Sequence, residues 1–502
     1  TSSTKIYTQG GGIVLDEPSV VALGQGSEKS KIKAVGMEAK KLIGKTAENT
    51  KTVFPVFEGE IVNEKLAALM LDGFLKKISF KQGFSSSVVV SVPCGADLAL
   101  IKKLNKTLAA AGVNDAYYVE TPLAAAIGNN VPLSEYSPCF VIDMGGGVTD
   151  IAFNEGTKLS SIGDYAFYEC SSLKTIEIPN TVTYIGEKAF YNAYALTGMT
   201  FAEGNNEVGL EFGKNALEFS SRTALNPMKS FEFPARTTKI GQNVFYNRLG
   251  LTSIAFEKGG VLDLVIDQFA FAQVTKTSNS LSSASYFTPV TSLEIPARTT
   301  EIGTGAFFGM FKLETLTFEE GSKLTEIPAH MVLGCVSLKT LVLPEKLETI
   351  GDYAFETNDK AIKYYEYTEE EGAGKTTSKT FDHIGNNVLT AVTLPASLTK
   401  IGSYNFKNML ALNTVVFQEG TGDLTIDTLS FAIYNTIKDT EEVKRAELSV
   451  TFNKNLTEIG AQVFSNTNLK SVTFPEGAKL TTIGQKAFSI TATAGVPAPS
   501  IT

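Results

Sequence analysis

The sequence predicts an α/β partial domain followed by a repeat solenoid of about eleven units, with the division near residue 156. Two observations carry this prediction. Residues 1–156 alternate extended apolar runs with helical patterns, as an α/β layout does. The stretch LSSIGDYAFYECSSLKTIEIPNTVTYIGEKAF (159–190) follows a plan that returns many times downstream. Charge also divides unevenly: residues 1–156 carry 15 Lys/Arg against 16 Asp/Glu, and the remainder carries 29 against 37.

Within the repeat, Ile162-Gly163 and Ala166-Phe167 come back 23 residues later as Ile185-Gly186 and Ala189-Phe190. Between them Leu173, Ile176 and Ile178 follow L-x-x-I-x-I, so the apolar side chains of a short strand share one face, and Pro179 closes it. The strand signature opens at Leu173 and recurs at Leu196, Met228, Leu251, Val290, Leu313, Leu338, Leu389, Leu412, Glu447 (a degenerate copy) and Leu469. Six of the ten steps are 22–25 residues and the others are 32, 39, 51 and 35, so a basic turn is interrupted by insertions. One unit cannot bury its apolar face alone, whereas this many stacked copies support one another. The I-G-x-x-A-F element is expected to be a short outer helical turn, with Phe filling the core, Ala in close contact and Gly at a tight corner.

Residues 159–190 resemble the BspA-type leucine-rich repeat, whose look is IGxxAFxxCxSLxxIxIPxxVxxIGxxAF, and the likeness covers about residues 157–490, leaving a tail at 491–502. It implies a leucine-rich repeat fold. For function it implies only a binding scaffold, since the family is a set of mostly cell-surface proteins with diverse partners.

The first part reads, in order, as an extended run Ile13–Leu23, a helical pattern Ala34–Ile43, an amphipathic stretch Glu64–Ile78 and a strand Ser87–Pro93. A helix Asp97–Ala111, a strand Ala116–Glu120, a helix Pro122–Asn129 and a strand Cys139–Asp143 follow, so part of the sheet should be parallel. That last strand runs into Asp143-Met144-Gly145-Gly146-Gly147-Val148-Thr149-Asp150. Consecutive glycines after a strand can turn backbone N–H groups toward a phosphate, and a carboxylate such as Asp143 can hold magnesium through water; a plain hairpin turn reads the same way.

Six stretches in order resemble the first half of a bacterial actin homologue of the MreB, rod-shape-determining type: GIVLDEPSVVAL (12–23), AVGMEAKKLIGKT (34–46), FEGEIVNEKL (57–66), VSVPCGADL (90–98), VETPLAAAIG (119–128) and VIDMGGGVTDIAF (141–153). The resemblance implies an actin-like (ribonuclease-H-like) fold for residues 1–156. It also implies a second phosphate loop at Asp143, Gly145, Gly146, Gly147 and Thr149, with Thr1–Lys5 matching the tail of the first loop. The departures are equally specific. The sequence opens after the Asp-x-Gly strand with which the family's first loop begins, and Thr121 stands where its catalytic carboxylate is expected, with Glu120 displaced by one. Beyond Phe153 repeats replace the nucleotide-closing half. No catalytic residue, cofactor or resident metal is therefore expected, ATP and magnesium being what the loop would take if it were intact.

An acidic repeat region argues against nucleic acid, and no apolar run approaches the ~18 residues of a membrane span. Cys94, Cys139, Cys170 and Cys335 lack metal or redox spacing, and His330 and His383 are too few for a histidine centre. Gly44-Lys45-Thr46 and Gly374-Lys375-Thr376 imitate the end of a P-loop, but Ala39 and Glu369 stand where its first glycine belongs.

The insertions Ala272–Pro289, Glu356–Asn386 and Ala432–Ala446 all follow the A-F element, so they are expected along one edge as a rim. Tyr364, Tyr365 and Tyr367, beside a charge run, are the candidate partner-binding residues. Outward strand positions such as Lys174, Thr175, Glu177, Glu294, Glu314, Thr315, Thr317, Lys470 and Thr473 are small or charged, which suits a polar face rather than a sugar-stacking platform. The expected function is a non-enzymatic protein-binding scaffold with an actin-like remnant; the alternative is a nucleotide-binding cell-shape protein carrying the repeats as an attachment. The two resemblances point to different compartments, cytosol for the first part and cell surface for the second.

Overall fold

The computed structural model describes the chain except residues 1–2, 25–31, 45–49, 58–59, 81–87, 94–95, 97, 115, 129–139, 145–148, 154–158, 205, 221–226, 249, 274–284, 287–289, 358–361, 371–372, 382–384, 387, 435–443 and 491–502. Two compact units result: Thr1–Lys158 with Ser172–Pro179 and Ala195–Ala202, and Leu159–Ser171 with Asn180–Tyr194 and Glu203–Thr502.

The first unit opens on an antiparallel hairpin, Ser3–Thr8 against Gly12–Pro18. Val21–Leu23 then pairs with both Ile32–Val35 and Lys51–Val53. The expected helix over 34–43 shrinks to one turn, Met37–Lys40, because Gly36 at φ 69° ends the preceding strand and cannot continue a right-handed helix backward. The amphipathic stretch is helical over Glu64–Lys77. The Asn63 side chain accepts the Leu66 N–H at its start, and Met70 and Phe74 bury against Leu15 and Val21. Val88–Val92 pairs in parallel with Ala116–Glu120 through the crossover helix Leu98–Ala110, as a parallel pair requires. Helix Thr121–Gly128 follows, then the antiparallel hairpin Phe140–Met144 and Thr149–Phe153. Thr149–Phe153 also pairs in parallel with Leu173–Ile178, which pairs in turn with Gly198–Phe201.

All eleven expected repeat strands are present. In the second unit they form three parallel groups: Ser230–Phe233 with Ser253–Phe256; Ser292–Ile295 with Thr315–Phe318 and Thr340–Leu341; and Ala391–Leu394 with Thr414–Phe417, Glu447–Thr451 and Asn468–Thr473. Their alternation follows the sequence, with apolar residues in and residues such as Glu294 and Thr473 out. Lys174 departs: it is buried, its carbonyl accepting both the amide and the hydroxyl of Thr197 from the adjacent strand.

The I-G elements make a second wall. Each contributes a short strand, and these form two six-stranded parallel sheets, one from Ser161–Ile162 to Thr299–Ile302 and one from Glu326–Ile327 to Thr482–Ile483. Twelve turns of parallel solenoid result. Ile162, Ile185, Phe212, Ile240, Ile266 and Ile302 sit in one register row and Ile327, Ile350, Ile401, Ile426, Ile459 and Ile483 in the other. The Phe of each A-F stacks on the next where both are aromatic. Phe355, Phe406, Phe431, Phe464 and Phe488 form a column with centroids 5.2, 5.1, 5.3 and 5.5 Å apart.

The I-G-x-x-A-F turn is not helical. Alternate amides leave the turn for the next repeat: those of Tyr165, Phe167 and Glu169 donate to the carbonyls of Glu187, Ala189 and Tyr191 at 2.9, 2.7 and 2.8 Å. A helix would need those donors for itself. The left-handed position is the fourth residue of the element, at φ 58° in Tyr165 and 52° in Lys188, rather than the glycine. The glycine serves closeness instead. A Cβ on Gly186 would lie 2.5 Å from the Asp164 amide nitrogen of the preceding turn, whereas one on Gly163, in the first turn, would meet nothing within 4 Å.

Candidate functional site

Two constellations were legible as sites, and the structure treats them differently. In the first unit, Asp143 pairs with Asp150 and Met144 with Thr149 across the hairpin, so Asp143 and Thr149 lie at the ends of facing strands. Gly145, Gly146 and Gly147 lie outside the described residues. Thr121 begins its helix with its hydroxyl donating to the Val92 carbonyl at 2.8 Å, which places the hydroxyl in a strand-to-helix junction. Of Thr1–Lys5, matched to a phosphate-loop tail, the described residues open the strand Ser3–Thr8, in which Lys5 pairs with Asp16 at 3.4 Å and the Thr4 hydroxyl meets that of Ser19 at 2.9 Å.

In the second unit the insertion after Phe355 forms a regular hairpin. Ile362–Glu370 pairs antiparallel with Ala373–Phe381 over nine residues each. Ser285 and Tyr286, from the preceding long insertion, pair in parallel with Tyr364 and Tyr365, giving one three-stranded sheet built from two insertions. Gly374-Lys375-Thr376 therefore lies in a strand, where no P-loop end can be, and Gly44 follows its helix instead of preceding one.

The roots of this insertion are built into the solenoid. The buried Thr357 hydroxyl donates to the Asn408 carbonyl at 3.0 Å, and Asn408 Nδ2 donates back to the Thr357 carbonyl at 3.0 Å. At the return, buried Asn386 donates to the Leu338 carbonyl at 2.9 Å and accepts the Val388 and Leu389 amides.

His330 stacks on Tyr353 at 5.1 Å, and Tyr353 on Tyr404 at 4.6 Å. Burial holds the His330 imidazole below its ordinary range while Asp352 pulls the other way. Burial pushes the Cys335 thiol far up, so it is inert at neutral pH. His383, Cys94 and Cys139 lie outside the described residues. Among the described residues no group of His, Cys, Asp and Glu could hold a metal ion, and no helix is long and apolar enough to cross a membrane.

Sequence reasoning missed a second tyrosine cluster, in the first two turns. Tyr168 stacks on Tyr191 at 5.1 Å, Tyr165 tilts against Tyr168 at 5.6 Å, and Lys188 lies over both Tyr165 and Tyr191. The signal was the A-F-Y triplet repeated at a 23-residue step.

Residues 1–158 match the family model "MreB/Mbl protein", and residues 147–259, 218–288, 281–373 and 374–495 match "BspA type Leucine rich repeat region". The cell shape-determining protein MreB of Escherichia coli (strain K12) is 40% identical over 158 residues, covering 30% of this chain and 45% of that protein. The chain thus spans less than half of the curated relatives it matches. Among solved structures, MreB5 of Spiroplasma citri bound to ADP is 25% identical, covering 31% of this chain and 46% of that one, with a TM-score of 0.28. The pneumococcal vaccine antigen PcpA is 15% identical, covering 70% and 84%, with a TM-score of 0.36. Since the repeat model spans more than two thirds of its length, the chain belongs to the BspA-type leucine-rich repeat family, a repeat scaffold that carries an MreB-like segment of the actin fold at its start.

Proposed function

We propose that this protein is a non-enzymatic protein-binding scaffold whose insertion sheet engages the partner, with Tyr364, Tyr365 and Tyr367 as binding residues and the MreB-like segment as an attached remnant. One observation carries the reading: strands from two separate insertions pair with each other, Ser285–Tyr286 with Tyr364–Tyr365. The solenoid does not need this sheet for its own turns, and binding residues gather on segments that a rigid scaffold positions. Tyrosine suits the role, since it dominates interface energies while tolerating water.

Replacing residues 359–380 by a short Gly/Ser linker tests the reading. The melting temperature should stay almost unchanged, because Thr357 and Asn386 anchor the roots and loop length costs little entropy. Affinity for the partner recovered with the unaltered chain should fall at least tenfold. An unchanged affinity on a folded variant would move the assignment to the outward strand face.

A second reading, a nucleotide-binding cell-shape protein with the repeats as attachment, draws on the hairpin that sets Asp143 and Thr149 on either side of Gly145, Gly146 and Gly147. In that reading these five residues hold the phosphates of ATP, with magnesium near Asp143.

A further inference from the structure

The tyrosine cluster of the first two turns lies apart in sequence from the insertion sheet and is unusually open. Tyr165 and Tyr168 are 50% and 40% exposed, and Tyr191 is half-buried. The residue after the A-F phenylalanine, which is Tyr168 in the first turn, becomes Tyr246, Phe308 and Leu333 further along, and those three are buried in one apolar cluster. Large rings at this turn position are thus core in the middle of the solenoid and surface at its start. Exposed aromatic groups of this size mark contact surfaces more often than scattered chance.

The surroundings select the partner. The Lys188 ammonium lies 5.4 Å from the Tyr165 ring centroid and 5.6 Å from that of Tyr191, so the cluster already takes up one cation from within the chain. Carboxylates lie nearby: the Asp164 carboxylate accepts the Glu187 amide at 2.7 Å, Glu187 acts on the Lys188 ammonium and Glu169 on the Tyr168 hydroxyl. Residues 157–502 carry an excess of eight acidic groups, 37 Asp/Glu against 29 Lys/Arg, which draws a basic partner by long-range attraction.

We infer that Tyr165, Tyr168 and Tyr191, with the carboxylates Asp164, Glu169 and Glu187, form a docking face for an arginine- or lysine-bearing segment of a partner protein. The cation packs on the exposed rings of Tyr165 and Tyr168, beside Tyr191, and meets the nearby carboxylates. This face is independent of the insertion sheet and can stand or fall without it.

The test uses the full chain and fluorescein-labelled Gly/Ser peptides with two arginines four residues apart, read by fluorescence polarisation. The control replaces both arginines by citrulline, which keeps the shape and removes the charge. The arginine peptides should bind with Kd below about 1 mM and the citrulline peptides at least tenfold more weakly. The double variant Tyr165→Asn/Tyr168→Ala should weaken arginine-peptide binding about tenfold, the loss of two cation–π contacts. Asn already occupies the left-handed turn position at Asn215 and Asn243, so the first change leaves the backbone unstrained. Tyr168→Phe, which keeps the ring, should bind like the unaltered chain, and so should the variant lacking residues 359–380. Equal binding after ring removal, equal binding of citrulline peptides, competition by neutral oligosaccharides, or no arginine peptide binding below ~1 mM would each overturn the proposal.

Discussion

The ammonium of Lys407 lies 2.9 Å from the Glu356 carboxylate and 3.4 Å from the centre of the Tyr434 ring, with 1% of its side chain exposed. Glu356 opens one insertion and Tyr434 lies at the root of another, so this buried cation ties the two together. Removing the counter-charge leaves an uncompensated buried ion. Glu356→Gln should therefore destabilise the chain by about 3 kcal/mol, measured by urea unfolding. The double change Glu356→Leu/Lys407→Met should recover most of that loss, because desolvation of both charges is then avoided. If the double variant is as unstable as the single one, packing rather than charge holds this junction.

The two glycines of the first repeats should respond oppositely to one added methyl. Gly186→Ala drives a Cβ to 2.5 Å from the Asp164 nitrogen, so the neighbouring turns must separate, at a cost of about 1–3 kcal/mol. Gly163→Ala meets nothing within 4 Å and should be neutral or stabilising by a few tenths of a kcal/mol. Thermal unfolding of the two variants side by side checks the contrast.

Stability should fall on mild acidification through His330. Its folded value lies below the ordinary 6.5, so below that pH the unfolded chain binds a proton that the folded chain refuses. The contribution is complete above about 6.5 and is lost as pH falls from there through the lower folded value. His330→Asn keeps the left-handed turn position, at φ 58°, and removes the titration. The difference in melting temperature between the two proteins should therefore shift in favour of the variant between pH 7.5 and 5.5. A constant difference would show that the imidazole does not titrate there.

ATP turnover should not rise above the buffer rate. Thr121 occupies the position of the expected catalytic carboxylate, and its hydroxyl is engaged with the Val92 carbonyl. Loss of a positioned base typically forfeits about 10²–10⁴-fold. Phosphate release by the unaltered chain that disappears in Asp143→Ala would contradict this and favour the nucleotide-binding reading.

Much of the fold was legible because it is written in local periodicity. The alternation in Leu173–Ile178 and the recurrence of I-G-x-x-A-F specify a strand and a turn per repeat, and each copy repeats the message, so even the degenerate strand at Glu447 fell into place. The helical reading of the turn failed for a reason no single repeat contains. The amides of Tyr165, Phe167 and Glu169 have their acceptors in the next copy.

The candidate sites were less legible, since their partners lie far along the chain. Nothing near Tyr364 announces that Ser285 will pair with it, and Glu356 meets Lys407 across a separation of 51 residues. Loop closure changes slowly with length, so insertions of many lengths fit the same turn, and their sequences say little about where they go. By itself the sequence determined the repeat family, the likeness of its first part to MreB, the strand in each repeat and the places where the solenoid is interrupted, because apolar alternation acts between near neighbours. Only the tertiary structure decided which glycines must stay bare, which tyrosines lie open and which insertions join, because those depend on how closely one turn approaches the next.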